Sequence, residues 1–207
     1  MEGGRMIASI LKLNRNDCKA LKLEDVYSVH RIVYSLFPKI TSKSQRDFIF
    51  ADKGGNVQSR QILILSKRPP LSPEYGEIES KEVPKKFLNY DQYGFEVTLN
   101  PVTRNGTSKS ATPVRGVENI RNWFLSRSAS YGFNADPESL QVCRVGVISF
   151  DKQKNGAKYE HTHNTATFIG KLQVVDRDLF VKSFNDGIGR AKGFGFGLLQ
   201  LVPLKNN

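Results

Sequence analysis

Residues 140–150 read LQVCRVGVISF and residues 166–175 read ATFIGKLQVV. Both alternate in the manner of β-strands. Lys152-Gln-Lys-Asn-Gly156 lies between them and has the composition of a turn. Moving outward, Tyr93–Val102 (YGFEVTLNPV) is strand-like. Val117 to Ser130 is helical, because Val117, Ile120, Trp123, Phe124 and Arg127 recur at helical spacing. Asp176–Asn185 reads as a second short helix and Phe196–Leu204 (FGLLQLVPL) as a last strand. The resulting order, β-α-β-β-α-β, is that of a ferredoxin-like unit.

The first half starts the same way. Met6–Leu13 (MIASILKL) reads as a strand, and Glu24–Phe37 as a helix opened by Glu24-Asp25 and stopped by Pro38. FIFA and QILILSK flank Asp52-Lys-Gly-Gly-Asn56 as the arms of a hairpin. Four prolines between Pro69 and Pro84 then break regular structure, leaving room for an irregular connection and a short closing strand. The expected fold class is α+β with two tandem ferredoxin-like domains, residues 1–85 and 86–207, joined near residues 82–92. A single larger α+β domain is the alternative.

Composition narrows the function classes. The 207 residues carry 31 Lys plus Arg against 20 Asp plus Glu, a net charge of +11. With 39% apolar and 25% charged residues the chain is globular rather than disordered. Cys18 and Cys143 are its only cysteines, too few for a disulfide scaffold or a zinc ribbon. No apolar run approaches the roughly 20 residues a membrane span needs. The opening MEGGRMIASILKLNRND, interrupted by Lys12, is too weakly apolar for a secretory signal. The expectation is a soluble, cytoplasmic, basic protein whose partner is a polyanion, nucleic acid before membrane. Arg104, Lys109, Arg115, Arg121 and Arg127 stand against Glu118 alone between Asn100 and Arg127. That stretch suits a clamp on a phosphate backbone; a solvated surface loop is the plainer alternative.

In the first helix Val26, Val29, Val33, Leu36 and Phe37 share one face, the core stripe. Tyr27, His30 and Tyr34, at i, i+3 and i+7, form a second stripe at the border with solvent. Imidazole titrates near neutrality and suits proton transfer. RNA brings its own nucleophile, the 2′-hydroxyl. A protein cutting it therefore needs a proton acceptor, a proton donor and a cation, with no metal or cofactor. His30, Tyr27 and a nearby Arg or Lys could fill those roles, although Tyr and His at a helix edge are more often structural. His161 and His163 are spaced i, i+2 with no third metal ligand near, and read as parts of an exposed hairpin.

The most specific string is GIGRAKGFGFG, Gly187–Gly197. It follows a helix and precedes a strand, the reverse of dinucleotide-binding turns, and its spacing is G-x-G-x-x-x-G. Gly189 and Gly193 allow close backbone approach, while Arg190 and Lys192 offer cations to phosphates. A tight structural turn is the alternative.

The motif G-x-G-x-x-K-G-x-G-x-G-L-L-x-L resembles the glycine-rich loop of the RAMP proteins of CRISPR systems. VYSVHRIVYSLFP (26–38), QRDFIF (45–50), TLNPV (98–102) and Gly187–Leu204 together resemble the CasE family of CRISPR RNA-processing endoribonucleases. The resemblance runs over nearly the whole length, leaving Met1–Arg5 as a leader. It implies two ferredoxin-like (RAMP/RRM-like) domains and metal-independent cleavage of CRISPR repeat RNA at the base of a hairpin. The products would be a 2′,3′-cyclic phosphate and a 5′-hydroxyl, and the protein would stay on its crRNA beside other Cascade subunits. It implies His30 and Tyr27 as catalytic residues. Some members place a lysine five residues after the histidine; here Ser35 stands there, leaving Arg46 or Lys192 as the candidate cation. Arg104, Lys109, Arg115 and Arg121 are the implied RNA contacts, chiefly to phosphates and helix shape. A related protein that binds crRNA without cutting it is the other class implied.

Overall fold

The computed structural model describes residues 5–39, 46–55, 59–103, 111–154 and 157–204, with the backbone alone for 151–154 and 157–161. In chain order the regular elements begin with β1 (Ile7–Asn14), α1 (Arg15–Ala20), α2 (Val26–Ser35), β2 (Phe48–Gly55), β3 (Ser59–Ser66) and β4 (Glu77–Glu82). They continue with β5 (Gln92–Leu99), β6 (Val102–Thr103), β7 (Thr112–Pro113), α3 (Val117–Ser128) and β8 (Phe133–Ala135). The last are β9 (Gln141–Lys154), β10 (Ala157–Val174), α4 (Arg177–Asp186) and β11 (Gln200–Pro203).

The first sheet has the antiparallel order β2-β3-β1-β4, the ferredoxin-like arrangement. Its register sets Leu11 opposite both Ile62 and Ile78. Leu11, Leu13, Ile62, Ile64, Phe48 and Phe50 thereby share a face, and Val29, Val33, Leu36 and Phe37 of α2 close over it. Each such side chain, fully buried, contributes about 1.5–3 kcal/mol, enough to fix which edge of α2 looks outward. The ferredoxin-like pattern is incomplete here. Arg68–Pro73 occupies the place of a second helix, since the prolines supply no amide hydrogen for one. The sequence pattern passed over α1, a six-residue helix held by a capping box between Asn14 and Asp17.

The second sheet has the order β11-β5-β10-β8, with β9 also paired to β10. The strand expected from residue 140 is β9, and a short strand that the sequence pattern passed over, β8, precedes it. β8 pairs with Leu172–Val174 and β9 takes over from Ile169 downward, so the two lie in succession along the same edge of β10. Between them the Asp136–Leu140 turn leaves the ladder, with Leu140 N donating to Asp136 O. The last strand is shorter than its hydropathy suggests. Phe196–Leu199 is buried but irregular: Gly197 donates to Thr98 O and accepts from Ile188 N, which ties the glycine-rich run to the sheet.

The second face of the first sheet is not left to solvent. Met6, Ile49, Ala51 and Leu65 pack against Phe184 of α4 and Leu198. This seam brings the glycine-rich run to the edge of α2. Among the described residues, no helix is long and apolar enough to cross a membrane.

Candidate active site

Asp25 starts α2 by accepting from Ser28 N while the Ser28 hydroxyl accepts from Asp25 N. That fixed start, together with the core stripe, leaves Tyr27, His30 and Tyr34 half-buried along one edge. Their rings form a ladder. His30 lies 3.9 Å from Tyr34 between centroids, and 5.6 Å from Tyr27 with the planes only 9° apart. Phe194 closes the far side at 5.2 Å from His30, and Phe150 contacts both Tyr27 and Phe194.

The decisive contact comes from the glycine-rich run. His30 Nδ1 lies 2.7 Å from the Gly193 carbonyl oxygen. A carbonyl oxygen can only accept, so Nδ1 carries the hydrogen and Nε2 is the acceptor nitrogen of the neutral ring. Gly193 can approach this closely because a Cβ there would stand 3.2 Å from Tyr34 Oη, 3.3 Å from Arg46 Nη1 and 4.0 Å from His30 Nδ1. An imidazole, a phenol and a guanidinium therefore flank one backbone carbon. The run is anchored from behind by Lys192, whose ammonium donates to Asp186 O (2.9 Å) and Gly187 O (2.6 Å) at the end of α4. Burial, and then the Arg46 charge, pushes the Lys192 ammonium below the ordinary lysine value.

Residues 6–203 match the family described as CRISPR associated protein. The chain belongs to this family. It is 23% identical over 208 residues to the CRISPR system Cascade subunit CasE of Escherichia coli K12, covering 87% of this chain and 93% of CasE. A structure of the CRISPR endoribonuclease Cse3 bound to a 19-nucleotide RNA covers 97% of this chain and 100% of its own, with TM-score 0.83 at 18% identity. Cas6e from Escherichia coli K-12 covers 96% of this chain and 100% of its own, with TM-score 0.64 at 22% identity. At these identities the structures establish a shared fold.

The structure of this CRISPR-associated protein gathers Tyr27, His30, Arg46, Lys192 and Gly193 at one place. It gives the other sequence-predicted residues different positions. Arg190 is exposed on the glycine-rich run, and Gly189, with φ +73°, has a conformational role against Leu99. Arg115 is exposed just before α3. Arg121 is engaged within the protein, donating to Pro137 O and pairing with Glu118. Arg104 and Lys109 lie outside the described residues, as does the side chain of His161.

His163 departs from the exposed-hairpin expectation. Its ring is half-buried among Phe150, Phe194 and Phe196, with Asn100 Nδ2 3.2 Å from Nδ1. It supports the wall behind Phe194. Helical spacing flagged Tyr34, but its place over Gly193 and the roles of Phe150, Phe194 and Asn100 carried no local signal. Each depends on partners far away in the chain.

Proposed function

We propose that the protein is an endoribonuclease that cuts CRISPR repeat RNA at the base of its hairpin. It then remains on the crRNA as a subunit of a Cascade complex. The His30 Nδ1–Gly193 carbonyl hydrogen bond carries this reading, because it presets the imidazole with Nε2 as proton acceptor. In the reaction the substrate's 2′-hydroxyl gives its proton to Nε2 as its oxygen attacks the adjacent phosphorus. The bond from phosphorus to the 5′-oxygen breaks, that oxygen takes up a proton, and a 2′,3′-cyclic phosphate remains. We assign that proton to Tyr27, whose ring lies parallel to His30. No step calls on a metal.

The relatives support the same reading. Cse3 is described as a CRISPR endoribonuclease bound to RNA, and CasE as a Cascade subunit. The basic surplus suits an RNA partner. We also propose that residues 1–85 and 86–207 form two tandem units, the first contributing His30 and the second Gly193. The test is a labelled repeat hairpin incubated with the protein in EDTA. The wild type should cut, and His30→Ala should bind without cutting. Binding with no cutting by the wild type would instead assign a crRNA-binding scaffold.

A further inference from the structure

A proton acceptor and a proton donor leave one requirement of the reaction unmet. Negative charge builds on the non-bridging phosphate oxygens in the transition state and needs a fixed cation. We propose that Arg46 is that cation, a catalytic residue whose guanidinium, set beside the Tyr34 phenol at Gly193, holds the scissile phosphate. The proposal rests on the endoribonuclease reading and adds the group that reading lacks.

Three observations converge on Arg46. The first is place. Arg46 Nη1 and Tyr34 Oη both lie within 3.3 Å of the point where a Gly193 side chain would begin, against the carbonyl that orients His30. A glycine there leaves the space between guanidinium and imidazole open. The second is charge. Asp47, the neighbouring carboxylate, is taken by Arg68, whose Nε lies 2.6 Å from Asp47 Oδ2. Among the described residues no carboxylate pairs with Arg46, which is exposed. The third is the state of the rival cations. The Lys192 ammonium is occupied by two backbone carbonyls and sits below the usual lysine range. Arg190 is as exposed as Arg46, but its guanidinium is not among the three groups nearest the Gly193 Cβ position.

The chemistry suits a guanidinium. It stays charged at any working pH and presents paired N–H groups to two phosphate oxygens. Arg46 forms no covalent bond and transfers no proton; it stabilises the added charge while the phosphorus is five-coordinate. Tyr34, stacked on His30 at 3.9 Å, brings its phenol to the same glycine as the guanidinium.

The experiment is single-turnover cleavage of the labelled repeat hairpin by the full chain. Affinity is measured separately on a hairpin carrying a 2′-deoxy sugar at the cut site. Arg46→Ala should lower the cleavage rate at saturating protein by about 10²–10³-fold while changing affinity for the 2′-deoxy hairpin by less than about tenfold. Added methylguanidine should restore part of the rate to Arg46→Ala and none to His30→Ala. Arg46→Lys should fall between wild type and Arg46→Ala. A rate for Arg46→Ala within about threefold of wild type at saturation, or a loss confined to affinity, overturns the assignment. If the wild type cuts and His30→Ala does not, that result removes Arg46 alone. An inert wild type removes the endoribonuclease reading and this inference with it.

Discussion

Helices α2 and α3 hold corresponding places, each between the first and second core strands of its sheet, but their polar edges are completed differently. On α3, Arg121 reaches Pro137 O and Glu118, and Arg127 folds back over the Trp123 ring at 4.8 Å. That helix satisfies its cations within its own half. On α2, His30 turns to Gly193 and Phe194, and Arg46, just ahead of β2, comes to the same glycine. A helix edge that closes on its own surroundings becomes structure. An edge finished by a distant backbone takes its arrangement from the other half of the chain.

The sharpest way to break this comparison is His30→Ala. Cleavage should drop by at least about 10²-fold, with the melting temperature nearly unchanged because the ring is only half-buried. Next come two glycines, one behind each helix. At Gly132, φ +85°, an added Cβ would meet Phe180 N at 2.3 Å and Asp176 O at 2.6 Å, both backbone. Gly132→Ala should therefore destabilise the protein by at least about 2 kcal/mol in urea unfolding. At Gly193 the neighbours are the far ends of Tyr34 and Arg46, which can give way. Gly193→Ala should leave stability within about 1 kcal/mol and slow cleavage by about tenfold, since small misplacements are costly in a positioned site. Equal stability losses at the two positions would erase the distinction between the helices.

The smallest expected effect concerns the arginines near α3. Arg115→Ala should flatten the salt dependence of RNA binding by about one counterion. Arg121→Ala should leave the slope unchanged, its guanidinium being held by Pro137 O and Glu118. A reduced slope for Arg121→Ala would show that RNA draws that side chain off its internal partners.

What could be read from the sequence follows the range of the interactions. Helix α2 was legible because Asp25, the valine stripe and Pro38 act within a few residues. The β9–β10 hairpin was legible for the same reason. The split between β8 and β9 was not, because alternation fades through the Asp136–Leu140 turn while β10 runs on unbroken. Composition counted the arginines without showing which were already bonded, so Arg121 looked the same as Arg115. His30 and Tyr27 were legible as candidates, and the resemblance to CasE sharpened them. The contact that sets the histidine's tautomer spans 163 positions, and His163 gave a misleading local pattern because its neighbours come from three separate segments.

That long-range contact has a consequence in time. On the function proposed here, a chain still being synthesised holds His30 within its first thirty residues but lacks the carbonyl that orients it. Competence waits until residue 193 has been added and has cleared the ribosome. The tie between Gly193 and His30 would thus act as a clock, keeping an unfinished nuclease from cutting RNA around the site of its own translation.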